Sequence, residues 1–187
     1  NQNYKKSNSI IIHTGQNLKL FENYNIEQFG DTILFYGGMD SKQNYFAVKR
    51  FIEKILPHVK KEIPEVKVRI VGRKPPSSIK NMHNGYDFFV EGFVSDVRVP
   101  ISKCCVMILP LELGAGFRSR IVEVMALGVP IVGTHNALDN AGLTSGKNAY
   151  ISDHNEKMAE YLIEALNNDE KRELMSKNCK EFVSKNF

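Results

Sequence analysis

The chain has no tryptophan and only three cysteines among its 187 residues. Two of them, Cys104 and Cys105, are adjacent and the third, Cys179, is distant, so the sequence encodes neither an even disulfide framework nor a C-x-x-C metal pair. Reduced, buried, cytoplasmic thiols are expected. Long apolar runs are missing as well. The longest mostly apolar stretch, Cys104 to Leu111, falls far short of the roughly 18 residues needed to span a bilayer. The polar start, Asn1-Gln2-Asn3-Tyr4-Lys5-Lys6, is followed by no apolar segment of signal-peptide length. No single charge dominates: 25 basic against 21 acidic residues leave a net charge of +4 with no dense Lys/Arg block, which argues against a nucleic-acid partner. With 13 glycines and 7 prolines, collagen-like and disordered chains are excluded too. An initiator methionine is absent, and the chain is expected to be a fragment or a processed product.

What is present is an ordinary globular composition, 42% hydrophobic and 25% charged, at about the length of one domain. Short β-branched runs alternate with helical patterns from residue 32 onward, as parallel strands joined by crossover helices require. Strands are predicted at Thr32 to Tyr36, Val66 to Val71, Phe88 to Val90, Cys105 to Leu109, Pro130 to Val132 and Ala149 to Ile151. Several are apolar at consecutive positions, the mark of strands covered on both faces. The fold class that follows is α/β, with a doubly wound, Rossmann-like parallel sheet.

Helix 43 to 62 is the strongest, because Val48, Phe51, Ile52, Ile55, Leu56, Val59 and Ile63 form one apolar stripe that Pro57 should bend. A second helix is predicted from Ser119 to Leu127, stopped by Gly128 and Pro130. Asp153 and Glu156 have capping-box spacing ahead of a third, and a last helix covers about 169 to 184. Residues 1 to 31 are polar and read as a linker arm with one short strand at Ile10-Ile11-Ile12, leaving 32 to 187 as the folded domain.

Chemistry is concentrated between Leu109 and Glu123, which reads as a strand, a glycine turn and a helix start. Gly114 and Gly116 lack a Cβ and let backbone approach a ligand, and a free helix N-terminus favours an anion. Arg118 and Arg120 sit where the helix dipole is already positive, so a bound diphosphate would account for both. Glu123, three residues on from Arg120, could accept ribose hydroxyls. The alternative for Arg120 and Glu123 is a plain i, i+3 surface pair. The same turn begins like a G-x-G-x-x-G dinucleotide fingerprint but lacks the third glycine and follows a late strand, which disfavours a hydride-transfer cofactor.

The segment Gly114 to Pro130, preceded by Glu91-Gly92-Phe93-Val94-Ser95-Asp96-Val97 and Phe35-Tyr36-Gly37-Gly38-Met39-Asp40, resembles the C-terminal, donor-binding half of a GT-B glycosyltransferase. It is most similar to the retaining group 1, or family 4, enzymes with the pattern G-x-G-x-R-x-(K/R)-x-x-E-x-M-A-x-G-x-P. The likeness covers about residues 30 to 185. It implies a domain that binds a UDP or GDP sugar and passes the sugar to a hydroxyl held by a preceding N-terminal domain. Cell-envelope or capsular polysaccharide synthesis is the implied setting, with a cytoplasmic parent enzyme working at the membrane face. Neither metal nor cofactor is implied, so basic groups must stabilise the leaving diphosphate.

By the same resemblance Arg120, assisted by Arg118, holds the diphosphate and Glu123 holds the ribose, while Gly114, Ala115, Gly116 and Phe117 face the sugar and distal phosphate. Gly37 and Gly38 either leave room for phosphate or make a tight turn; Phe93 and Val94 either line the base or belong to the core. Arg73 is either a ligand contact or a solvated basic turn. His135, just past a strand end, either approaches the donor or is an exposed loop histidine. The chain departs from the family in having Ala115 where many members have a glutamate, and Gly38 and Gln43 where Arg and Lys are frequent. Transfer activity is not expected from this half alone. A nucleotide-sugar epimerase of the same architecture and a non-catalytic α/β binding module are the competing readings.

Overall fold

The computed structural model describes residues 17–22, 24, 31–114, 118–138 and 141–187. Six parallel strands form one sheet in the order β3-β2-β1-β4-β5-β6, with β1 at Thr32–Tyr36, β2 at Lys67–Val71, β3 at Phe88–Gly92, β4 at Val106–Leu109, β5 at Ile131–Gly133 and β6 at Tyr150–Ile151. Ile33, Leu34 and Phe35 of β1 and all of β4 have no exposed surface, so side chains on both faces of the central strands are covered. This is the doubly wound arrangement expected from consecutive apolar residues. The strand order reverses between β1 and β4, and in open sheets of this kind ligands collect beyond the strand C-termini at that point.

The predicted long helix is built in three pieces: α2 at Lys42–Arg50, a π-helical turn at Phe51–Ile55 and α3 at Leu56–Glu62. Pro57 has no N–H to give the carbonyl four residues earlier. The register widens just before it, and the Leu56 N–H donates to the Phe51 carbonyl five residues back. The bend expected at Pro57 is therefore a π turn, and it keeps Val48, Phe51, Ile55 and Val59 fully buried on one side. Short helices not predicted from the sequence lie at Lys19–Glu22 (α1), Ser77–Lys80 (α4), Arg98–Ser102 (α5) and His135–Leu138 (α7). Helix α6 covers Ser119–Ala126, α8 covers Asn155–Asn167 and α9 covers Asp169–Asn186.

One expectation is corrected here. His154, not Asp153, is the residue before α8, and it makes no side-chain cap. The Asp153 carboxylate instead accepts from the backbone N–H and Nδ1 of His135 at 3.1 and 2.9 Å. A nearby partner won over the local capping geometry. Helix α9 has the cap that α8 lacks, with Asn168 Oδ1 accepting from the Lys171 N–H.

The three cysteines are free and buried, and their thiols donate to the carbonyls of Pro100, Thr32 and Asn148. Burial pushes the Cys105 and Cys179 thiols up to about 12. No helix among the described residues is long and apolar enough to cross a membrane. The short strand expected at residues 10 to 12 lies outside the described residues. In the remainder of that arm, Phe21 of α1 is buried and α1 packs against α6.

Candidate functional site

Helix α6 follows β4, on the far side of the switch point from β1. Ile121, Val122, Val124 and Met125 are buried and hold it on the sheet, which leaves Arg120 and Glu123 on a face turned toward the end of β1. Arg120 donates from Nη1 to the Tyr36 carbonyl at 2.8 Å and from Nη2 to Asn44 Oδ1 at 2.9 Å. Desolvation, with a smaller push from the Arg118 charge, pulls the guanidinium down to about 10. The Tyr36 hydroxyl hydrogen-bonds the Glu123 carboxylate. Burial raises Glu123 above the ordinary carboxylate range, and neither that hydrogen bond nor the Arg120 charge fully offsets it. The same burial, reinforced by the Glu123 charge, raises the Tyr36 phenol.

Two buried polar atoms in this group have no partner: Nε of Arg120 and Oε2 of Glu123. Buried groups left in that state cost roughly 1 to 3 kcal/mol each. Neither residue is the solvated i, i+3 pair weighed as an alternative. A buried donor and a buried acceptor left unpaired on one helix, next to the switch point, call for an explanation beyond packing.

The glycine turn after β1 is shaped around this arginine. A Cβ on Gly37 would stand 1.9 Å from Arg120 Nη1, and one on Gly72 would stand 2.0 Å from the Gly37 carbonyl oxygen. At Gly72 the contact is with backbone and requires glycine, whereas a side chain at Gly37 would have to displace the Arg120 guanidinium. Hydrogen bonds continue the sheet into the turns: Gly37 N–H to Val71, Met39 N–H to Arg73 and Gly72 N–H to Gly92, at 2.8, 2.9 and 2.8 Å.

In front of these strand ends lies a cleft of about 330 Å³. Tyr36, Gly38, Asp40, Asn44, Arg73, Phe93 and Val94 are among the residues that line it. The register of β3 against β2 shifts between Ile70 and Val71, so β3 runs to Gly92 and delivers Phe93 to the cleft. Phe93 is 78% exposed and so is not core, whereas Val94 is half-buried against the core. Arg73 is a solvated side chain and a cleft residue at once, with Nε 3.0 Å from Asp40 Oδ2 and 67% of the side chain exposed.

Arg118 takes the other direction. Its backbone is extended ahead of α6, and its guanidinium reaches the carbonyls of Gly114, Asn136 and Ala137 at 3.3 to 3.5 Å. Arg118 and Arg120 therefore grip opposite sides of the strand ends. Gly114, with φ +103°, packs against Gln43. The expectations for Ala115, Gly116 and Phe117 lie outside the described residues.

Sequence reasoning missed Tyr36, Asn44 and Asp40, all within nine residues spanning a strand end and a helix start, and it left His135 unpaired. That position, at the C-terminal end of a parallel strand beside Gly37 and Gly38, was the signal available for Tyr36.

Residues 30–168 match the family model described as glycosyl transferases group 1. The chain belongs to that family. Its fold is that of a GT-B C-terminal domain: a C-terminal domain of a group 1 glycosyltransferase, LpcC from Francisella tularensis, superposes with a TM-score of 0.73 at 16% identity, over 92% of this chain and 98% of that one. TarM matches with a TM-score of 0.74 at 16% identity, over 97% of this chain and 35% of its own. Anabaena HepE, solved with UDP and glucose, matches with a TM-score of 0.71 at 14% identity, over 94% of this chain and 52% of its own. In sequence, an uncharacterised 44.6 kDa protein of the Klebsiella pneumoniae cps region is 20% identical over 163 residues. The chain spans 42% of that relative's length.

Proposed function

We propose that this group 1 chain is the donor-binding half of a retaining glycosyltransferase that uses a UDP or GDP sugar. The observation that carries the reading is the buried pair of unpartnered atoms at the switch point, Arg120 Nε and Glu123 Oε2. In this reading a ribose hydroxyl donates to Glu123 Oε2, and the diphosphate lies over the Gly37–Gly38 turn above the Arg120 charge. The base stacks on Phe93 beside Val94, and Arg73 reaches the nucleotide. Arg118 and Gly114 face the distal phosphate and sugar. When the glycosidic bond to phosphate breaks, negative charge grows on the diphosphate, and fixed guanidiniums in a partly dry site stabilise it without reorganising.

The Anabaena relative solved with UDP and glucose supports the ligand class, and the cps-region relative supports a role in capsular or cell-envelope polysaccharide assembly. Such an enzyme works in the cytoplasm, at the inner membrane face where the acceptor is displayed, and takes its acceptor from an N-terminal lobe.

The test is thermal unfolding with UDP, GDP and ADP. UDP or GDP is expected to raise Tm, and Arg120→Ala and Glu123→Ala are each expected to remove most of the shift while the far-UV spectrum is kept. At one hundred times Kd a ligand stabilises the folded state by about 2.7 kcal/mol, about 5 to 10 °C for a chain of this length. No shift with any of the three nucleotides would leave a non-catalytic α/β module, and an undiminished shift in Arg120→Ala would remove the arginine from the site.

A further inference from the structure

Among the described residues, the hydrogen bonds that hold Arg120 end on neutral acceptors, and the Glu123 carboxylate acts on it through its charge without a hydrogen bond. The Tyr36 carbonyl takes Nη1 at 2.8 Å and Asn44 Oδ1 takes Nη2 at 2.9 Å. Asn44 is itself fixed, because its Nδ2 donates to the Gly38 carbonyl at 2.7 Å. This pattern leaves one orientation for the amide, since a guanidinium offers only donors and a carbonyl only an acceptor. The guanidinium is thus gripped from both sides of the Gly37–Gly38 turn: by the carbonyl before it and, through Asn44, by the carbonyl within it. Gly37 closes the third side, with the site of its missing Cβ 1.9 Å from Nη1.

We infer that Asn44 is a positioning residue: it holds the Arg120 charge beneath the Gly37–Gly38 turn without neutralising it, so that the charge is left for the donor's diphosphate. The inference rests on the donor-binding reading above and adds to it a residue, in the first turn of α2, that need not touch the ligand. An aspartate at 44 would reach Nη2 equally well, but its charge would satisfy the arginine and lose the hydrogen bond to Gly38. An amide supplies geometry alone. Pre-set charge of this kind is what makes a polar site effective, because no side chain has to be ordered when the ligand's own charge develops.

The experiment is isothermal titration of the wild-type chain and of Asn44→Ala, Asn44→Asp, Arg120→Ala and Asn44→Ala/Arg120→Ala. The ligands are whichever of UDP, GDP and ADP binds wild type best, and its monophosphate. Both Asn44 variants are expected to weaken the diphosphate about tenfold or more, the scale of one charged hydrogen bond. The preference for diphosphate over monophosphate should shrink with it, and Asn44→Ala should cost nothing further once Arg120 is gone. Wild-type affinity in Asn44→Asp would overturn the inference, because neutralising the arginine would then be harmless. Additive losses in the double variant would overturn it too, by making Asn44 a direct contact.

A wild-type chain that binds none of the three nucleotides would instead defeat the donor-binding reading. Asn44 is then judged by ¹⁵N NMR of the Arg120 side chain. Guanidinium signals resolved in wild type and lost in Asn44→Ala support its positioning role, and identical signals in both overturn it.

Discussion

Glu123 is costly to the fold and useful to the site. Its carboxyl is half-buried and raised by desolvation, which the Tyr36 hydroxyl and the Arg120 charge do not fully offset. A carboxylate whose folded pKa lies above its unfolded one stabilises the native state only at low pH, where both states are protonated, and that contribution is lost as pH rises through the folded value. Glu123→Gln removes the burden and is expected to raise Tm at pH 7 to 8. The gain should fade toward pH 4, as calorimetry across pH would show, and nucleotide binding should be lost because the amide cannot match the carboxylate as an acceptor for ribose. Arg120 and Glu123 were legible in the sequence, since both lie on one short helix at readable spacing. Their partners were not: Tyr36 and Asn44 stand 84 and 76 residues from Arg120 along the chain, and only the sheet order brings them together.

Elements were read best where an apolar pattern ran long enough to fix them. The strands of the sheet, α6 and α9 fall within a few residues of expectation, because consecutive buried residues leave little freedom. The π turn before Pro57 could be foreseen only as a bend, since its register depends on how Phe51, Ile55 and Val59 pack. The start of α8 was misjudged for a similar reason, because Asp153 bonds His135 18 residues away instead of capping the helix. The junction of α8 and α9 has polar contacts of its own that no apolar pattern reveals. Buried Arg172 in α9 donates to the Ala165 and Leu166 carbonyls, which end α8, and to Asp169. Arg172→Ala leaves those carbonyls without their partner in a closed site, and a loss of about 2 to 4 kcal/mol is expected, about 4 to 16 °C in Tm at this length. The variant should still bind nucleotide as wild type does below its Tm, because neither helix reaches the cleft. A parallel fall in affinity, measured by titration at 15 °C, would mean that the two ends of the sheet are coupled.

At the scale of the whole molecule, the strand order accounts for where the chemistry sits and also for what is missing. All the candidate groups converge on one edge, the C-terminal ends of β1 to β4, and that edge is open. Phe93 at 78%, Leu113 at 67% and Phe46 at 57% exposure stand along it with no covering layer among the described residues. Group transfer needs the acceptor hydroxyl fixed near attack distance and bulk water kept out, and orientation alone accounts for factors of roughly 10⁵ or more in effective concentration. On the donor-binding reading, the described residues offer a place for the leaving group and no enclosed place for the incoming one. Incubated with a UDP or GDP sugar and a free acceptor, the chain is expected to bind the donor yet release nucleoside diphosphate at least about a thousandfold more slowly than the same chain joined to an acceptor-binding lobe, as chromatography of the released nucleotide would measure. Comparable turnover by these 187 residues alone would place a complete acceptor site on the open edge, most plainly around Phe46 and Leu113, and would make the division of labour between two lobes unnecessary.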